Sequence, residues 1–157
     1  MRKFEKISFE QFKKDICDDK KLYDEYTLPK RSTSCSAGYD FFAIEGFTLK
    51  PNEIKKIPSG YKAHFRENEM LMILVRSSMG FKYNVRMCNQ VGIIESDYYN
   101  NESNEGHMWI ALQNQGTEDF TVKKSDAYAQ GIFTTFLLTD DDNTTEIRTG
   151  GIGSTNK

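Results

Sequence analysis

The sequence predicts an all-β fold, a β-barrel or sandwich, on three observations. Short apolar segments recur between polar or glycine turns, some of them alternate apolar with polar side chains, and from Leu28 onward no helical periodicity separates them. Strands are expected at Gly38–Ile44, Ile54–Ile57, Tyr61–Phe65, Met70–Val75, Val91–Ile94, His107–Leu112, Phe120–Val122 and Ile132–Leu138. Tyr61, Ala63 and Phe65 alternate with Lys62 and His64, the pattern of a strand with one buried face. Met70–Val75 is apolar throughout and reads as a strand buried on both faces. The helical signal is confined to the beginning. Ser8-Phe9-Glu10-Gln11 has the form of a capping box, and Phe9, Phe12 and Ile16 recur at helical spacing after a strand at Phe4–Ile7. The expected organisation is one domain: a strand–helix extension over 1–27, a β core over 28–138 and a flexible, Gly-rich C-terminal strap over 139–157, with Asn100–Gly106 as a polar loop.

Composition narrows the classes of function. With 157 residues, 38% hydrophobic content, 11 Phe and 8 Tyr, the chain can build a core without covalent staples. A net charge of -2 and the lack of any Lys/Arg block argue against a nucleic-acid partner. The three cysteines, Cys17, Cys35 and Cys88, form no Cys-x-x-Cys pair and read as reduced thiols, not a zinc site. The longest apolar run, Met70–Val75, is far short of a signal core or a membrane span, so a cytoplasmic protein without a membrane partner is expected.

Three polar clusters carry candidate chemistry. Arg76-Ser77-Ser78-Met79-Gly80 follows an apolar strand and offers a guanidinium and two hydroxyls, suited either to phosphate oxygens or to an ordinary polar turn. Glu95-Ser96-Asp97 places two carboxylates at the end of another strand, as a general base needs and as a solvated turn also allows. Gly150-Gly151-Ile152-Gly153-Ser154-Thr155, near Arg148, combines flexible backbone donors with a cation, suited either to closing over a polyphosphate or to an ordinary disordered terminus. Tyr98 and Tyr99 suit either the core or a ligand's ring or sugar. His64 and His107 have no partner at metal-ligand spacing and read as exposed strand-face residues, and Asp140–Asp142 as a solvated linker.

Taken in order, these segments resemble the trimeric dUTP pyrophosphatase (dUTPase) family over roughly Leu28 to Thr155. Ala37-Gly38-Tyr39-Asp40 is similar to the family's first motif, Arg76-Ser77-Ser78-Met79 to its second, and Asn89 through Tyr98 to its third. Asp126-Ala127-Tyr128-Ala129-Gln130 is similar to the fourth, and Arg148 with the terminal glycine segment to the fifth. The resemblance implies a jelly-roll-like β-barrel or sandwich and a homotrimer with active sites at subunit junctions, each covered by the tail of another subunit. It also implies Mg2+-assisted attack of water on the α-phosphate of dUTP, giving dUMP and pyrophosphate. The implied catalytic carboxylates are Glu95 and Asp97, with Asp40 reaching the metal through water. The implied substrate contacts are Arg76, Ser77, Ser78, Asn89, Gly92, Ile94, Tyr98, Gln130, Arg148, Gly151, Ile152, Gly153, Ser154 and Thr155. Of these, Asn89 would read uracil and Tyr98 would lie against the deoxyribose, while Arg76, Ser77, Gln130, Arg148, Ser154 and Thr155 would hold phosphates. The chain departs from the family pattern at several points. Glu95 stands where the family usually has Asp, Ile152 where it has Phe, and Val75 where it has Pro; Arg148 lies one residue closer to the Gly pair, and the segment after Tyr98 is longer. Two other readings are a dCTP-processing enzyme of the same fold and a non-catalytic, nucleotide-binding regulatory trimer.

Overall fold

The computed structural model describes residues 1–146, 148, 150 and 151. Strand β1 (Lys3–Lys6) leads into helices α1 (Phe9–Asp15) and α2 (Lys20–Glu25). Strands β2 (Tyr39–Phe42), β3 (Phe47–Leu49), β4 (Ile54–Pro58), β5 (Tyr61–His64) and β6 (Glu69–Leu74) precede helix α3 (Ser77–Tyr83). Then come β7 (Val85–Met87), β8 (Gly92–Glu95), a 3-10 turn at Ser96–Tyr98, β9 (Trp109–Asn114), β10 (Phe120–Val122) and β11 (Ala127–Thr135). The described strands form a jelly-roll-like β fold of four antiparallel sheets: β2-β11-β6-β8, β4-β9-β7, β10-β3 and β1-β5.

The core is filled from both larger sheets. Phe41, Leu71, Ile73 and Ala129 come from one, and Val85, Met87, Ile110 and Leu112 from the other; all are at most 3% exposed. Tyr61 of β5 joins them, its ring packed edge-on to Phe41 at 5.4 Å. The N-terminal segment closes one side of this core. Ser8 caps α1 by accepting the Gln11 amide at 3.1 Å, and Phe12 on the inner face is fully buried, stacked on Tyr26 at 5.6 Å. The capping box is only half formed. Gln11 turns to Asp15 instead of back to Ser8, and the Ser8 amide donates to Glu105 of a distant loop at 2.9 Å.

Several expectations are corrected. Met70–Val75 is not buried on both faces: β6 starts at Glu69 and alternates, with Leu71 and Ile73 in the core and Met70, Met72 and Leu74 half-buried. Among the described residues nothing fully covers that outer face, where Ile93 of β8, opposite Met72, is 45% exposed. Glu69 occupies a core-side position because Arg2 Nε donates to it at 2.8 Å and the Arg66 amide at 3.3 Å. The Arg2 bond holds its carboxyl below the usual carboxylate range, against the opposing effect of desolvation. The last strand ends at Thr135, which leaves Leu137 and Leu138 exposed. His107 precedes β9 instead of opening it.

Helices α2 and α3 and strands β3 and β7 were not expected from the sequence. The two strands are three residues long, too short to show a period. Helix α3 contains Gly80 and has no side-chain cap at its start, but it is pinned by buried Met79 and ended by Asn84 in the left-handed conformation (φ 53°).

Candidate active site

Strand register gathers the first group of predicted residues. Gln130 of β11 lies opposite Asp40 of β2 on one side and Leu74 of β6 on the other, so the residues following Leu74 emerge beside it. Arg76 Nε approaches Asp40 Oδ1 at 3.2 Å, while the Ser32 hydroxyl donates to Asp40 Oδ2 at 2.6 Å. Gln130 Nε2 donates to the Val75 carbonyl at 3.2 Å. A Cβ on Gly38 would fall 2.4 Å from Gln130 Oε1, so the glycine of the first motif makes room for the glutamine of the fourth. Arg76 is 41% exposed, and Ser77 and Ser78 are exposed in the first turn of α3 beside a cleft of about 440 Å³. A half-exposed guanidinium with two hydroxyls can take phosphate oxygens in charge-assisted bonds.

A second group forms around the end of β8. Glu95 and Asp97 are 54% and 48% exposed, and Arg148 bridges them: its Nη2 pairs with Glu95 and its Nε with Asp97 Oδ1 at 3.0 Å. The same guanidinium lies over the Tyr98 ring, 5.7 Å from the centroid. Tyr98 is 5% exposed; its phenol donates to the His107 carbonyl at 3.0 Å and accepts from Asn104 Nδ2 at 2.9 Å. Burial raises the phenol's pKa, so it remains a neutral donor. A smaller cleft of about 280 Å³ opens here between Asp97, Asn101 and Arg148. A Cβ on Gly151 would meet Ser103 Oγ at 2.8 Å, which places the start of the glycine segment against the loop after Tyr98. Ile152, Gly153, Ser154 and Thr155 lie outside the described residues.

The remaining third-motif residues line the path between the groups. Asn89 is exposed in the turn before β8, Gly92 is buried opposite Ile73 where a Cβ would sit 3.3 Å from Met87 Cε, and Ile94 is half-buried opposite Leu71. The two groups themselves are not brought together within the chain. Gln130 is level with Leu74, whereas Glu95 is level with Met70. Four residues of strand separate those levels, about 13 Å along β6 at about 3.3 Å per residue.

The structure adds residues with no signal in the sequence. His107 is fully buried and not on an exposed strand face. Its Nε2 accepts the Gly60 amide at 2.9 Å, so its proton is on Nδ1, which donates to Asp15 Oδ2 of α1 at 2.6 Å. An isolated histidine and an aspartate ninety-two residues away share no local pattern, and only the docking of α1 joins them. His64, by contrast, is partly exposed, its ring edge-on to Tyr99 at 5.1 Å.

Two consequences can be measured. Burial lowers the His107 pKa, an effect that the Asp15 contact opposes without overcoming. The folded protein therefore takes up this proton less readily than the unfolded chain, whose imidazole titrates near about 6.5. The stability that depends on neutral His107 is complete above that value and is lost as pH falls through it. The urea midpoint is expected to be lower at about pH 5.5 than at about pH 7.5, with a smaller difference in His107→Gln. Gly106, next to His107, has φ 82°, and a Cβ there would lie 2.7 Å from the Tyr98 carbonyl oxygen. Gly106→Ala is expected to cost about 2 kcal/mol or more in urea unfolding.

The chain is similar to known proteins along nearly its whole length. The dUTPase family model matches residues 24–156. A curated relative, the deoxyuridine 5'-triphosphate nucleotidohydrolase of Lactococcus lactis subsp. lactis (strain IL1403), is 45% identical over 130 residues, covering 82% of this chain and 87% of the relative. The protein of the same name from Mannheimia succiniciproducens is 35% identical over 147 residues, covering 88% and 93%. The crystal structure of a dUTPase from Streptococcus mutans superimposes with a TM-score of 0.70 at 33% identity, covering 87% of this chain and 98% of that one.

Proposed function

This chain belongs to the dUTPase family and is a dUTP diphosphatase, hydrolysing dUTP to dUMP and pyrophosphate, and we propose that it does so in a cytoplasmic homotrimer at sites that each draw on more than one copy. The register carries this reading. Phosphate-directed Arg76, Ser77, Ser78 and Gln130 stand at one end of the four-stranded sheet, and Glu95, Asp97 and Tyr98 at the other. About 13 Å of strand is too far for a general base and the phosphate grip to meet on one α-phosphorus. A second copy that brings its Glu95 end to the first copy's Arg76 end completes the constellation. The apolar face of half-buried Met70 and Met72 and exposed Ile93, only partly covered among the described residues, supports self-association, because apolar sheet faces are normally covered.

In the assembled site Glu95 takes the proton of the attacking water, and Asp97 orients it. Arg76, Ser77, Ser78 and Gln130 hold the triphosphate, while Asn89 with the backbone at Gly92 and Ile94 receives uracil. Tyr98 lies against the deoxyribose, where a 2'-hydroxyl would crowd its ring. Arg148 transfers from Glu95 and Asp97 to the substrate's phosphates, which frees both carboxylates, and Gly151, Ile152, Gly153, Ser154 and Thr155 contribute substrate contacts. Among the described residues no three His, Cys, Asp or Glu side chains converge as a metal cage. The oxygen chemistry of the site fits Mg2+, which the substrate's phosphates would hold and Asp40 would reach through water. When bound, Mg2+ draws charge from the phosphate oxygens and the leaving pyrophosphate.

The test is product analysis with dUTP, dCTP and dTTP in the presence of Mg2+. Pyrophosphate and dUMP are expected from dUTP alone. Release of orthophosphate, or turnover of dCTP to match, would overturn the reading.

A further inference from the structure

The N-terminal segment, which precedes every motif shared with the family, reaches the substrate side through one chain of contacts. Gln11 Nε2 donates to Asp15 Oδ2 at 2.7 Å, and the same oxygen accepts His107 Nδ1 at 2.6 Å. The other imidazole nitrogen accepts the Gly60 amide at 2.9 Å, so the ring is held at both ends and cannot rotate. The backbone of this fixed residue presents the carbonyl that accepts the Tyr98 phenol at 3.0 Å. Its amide donates to the Asn104 carbonyl at 2.9 Å, and the Asn104 side chain donates to the Tyr98 oxygen at 2.9 Å. Tyr98 is thus clamped at its hydroxyl by His107 and by a neighbour that His107 itself anchors.

Core packing alone does not require this arrangement. A buried imidazole could be satisfied by any nearby carbonyl, yet here it is met by a carboxylate on the last residue of a helix from a separate segment. The same segment grips the loop after Tyr98 twice more. The Tyr99 hydroxyl donates to Glu5 of β1, and Ser8, the cap of α1, donates through its amide and hydroxyl to Glu105. These three hydrogen bonds from β1 and the cap of α1 fix Tyr99, next to Tyr98, and Glu105, which lies between the clamp residues Asn104 and His107.

We infer that Asp15 and His107 are positioning residues for Tyr98, setting the distance of its ring from the sugar and hence the preference for deoxyribose over ribose. The inference rests on the reading that Tyr98 faces the deoxyribose. Neither residue touches substrate; each acts through the tyrosine. A shift of about 1 Å in a substrate-contacting group can change rates by as much as about 100-fold, so a partial loosening of the clamp should be legible in specificity.

The experiment compares kcat/KM for dUTP and UTP in the full chain and in Asp15→Ala, Asp15→Asn, Gln11→Ala and Tyr98→Ala. Emission of Trp109, the single tryptophan, serves as a second readout because its ring lies 5.3 Å from that of His107. Asp15→Ala is expected to reduce the dUTP-over-UTP preference by about tenfold, to raise KM for dUTP more than it lowers kcat, and to shift the Trp109 emission. Asp15→Asn keeps an oxygen for the Nδ1 proton and should restore the preference. Gln11→Ala leaves the carboxylate in place and should give a smaller loss in the same direction, which keeps the test open if Asp15→Ala folds poorly. A wild-type preference in Asp15→Ala and Gln11→Ala, with only the melting temperature lowered and with Tyr98→Ala unselective, would overturn the inference and leave the sugar-facing reading intact. A wild-type preference in Tyr98→Ala would instead overturn that reading, and the inference with it.

Discussion

Glu95→Gln is expected to lower turnover of dUTP by about 100-fold or more while leaving substrate binding nearly unchanged, the signature of a lost general base. The substitution keeps the shape of the side chain and its place at the end of β8, opposite Met70, but removes the basic oxygen. Glu95 is 54% exposed and contributes nothing to the core, so the folded structure should survive. Single-turnover measurements with dUTP, together with binding of a non-hydrolysable analogue, separate chemistry from affinity. Asp97→Asn is the comparison. Asp97 shares Arg148 with Glu95 and sits two residues on, in a 3-10 turn instead of a strand. If Asp97→Asn abolished turnover and Glu95→Gln did not, the base would be Asp97.

The second large effect is a recovery. Arg76→Ala should remove the phosphate grip and Glu95→Gln the base, so each variant alone should be nearly inactive. Mixed in equal amounts under conditions that exchange subunits, they should regain activity, because a site that takes Arg76 from one copy and Glu95 from the next is intact wherever the partners fall in the right order. Random mixing into trimers gives about a quarter of sites that combination. Persistent inactivity despite verified exchange would mean that one chain supplies both groups. That outcome would require β6 and its flanks to rearrange, since the register separates the groups by about 13 Å.

The fold class was legible because strand periodicity is local. Tyr61, Ala63 and Phe65 announce a strand with one buried face, and all three are at most 4% exposed. The N-terminal helix was legible from Ser8 and the spacing of Phe9, Phe12 and Ile16, since caps and amphipathic stripes need only adjacent turns. The ordered motifs were legible for a similar reason: each is a contiguous stretch that leaves one strand or turn. What resisted was structure set by distant partners. Ser77–Tyr83 is helical because buried Met79 pins it to the core and left-handed Asn84 ends it, although Gly80 interrupts any helical pattern. Met70–Val75 is uniformly apolar, so its period could not reveal that Met70 and Met72 face outward.

By itself the sequence determined the β class, the start of α1, the order of the five motifs and the identity of the side chains that could grip phosphate or take a proton. These follow from period, cap and residue chemistry, all of which are properties of neighbouring residues. Only the tertiary structure decided which of those side chains share a place. Antiparallel register sets Gln130 against Asp40 and Arg76 at one end of a sheet and carries Glu95 to the other. The docking of α1 joins Asp15 to His107, and through its carbonyl to Tyr98. Pairing between strands and packing of a helix onto a core depend on free energies summed over residues far apart in the chain, so no window of sequence holds them.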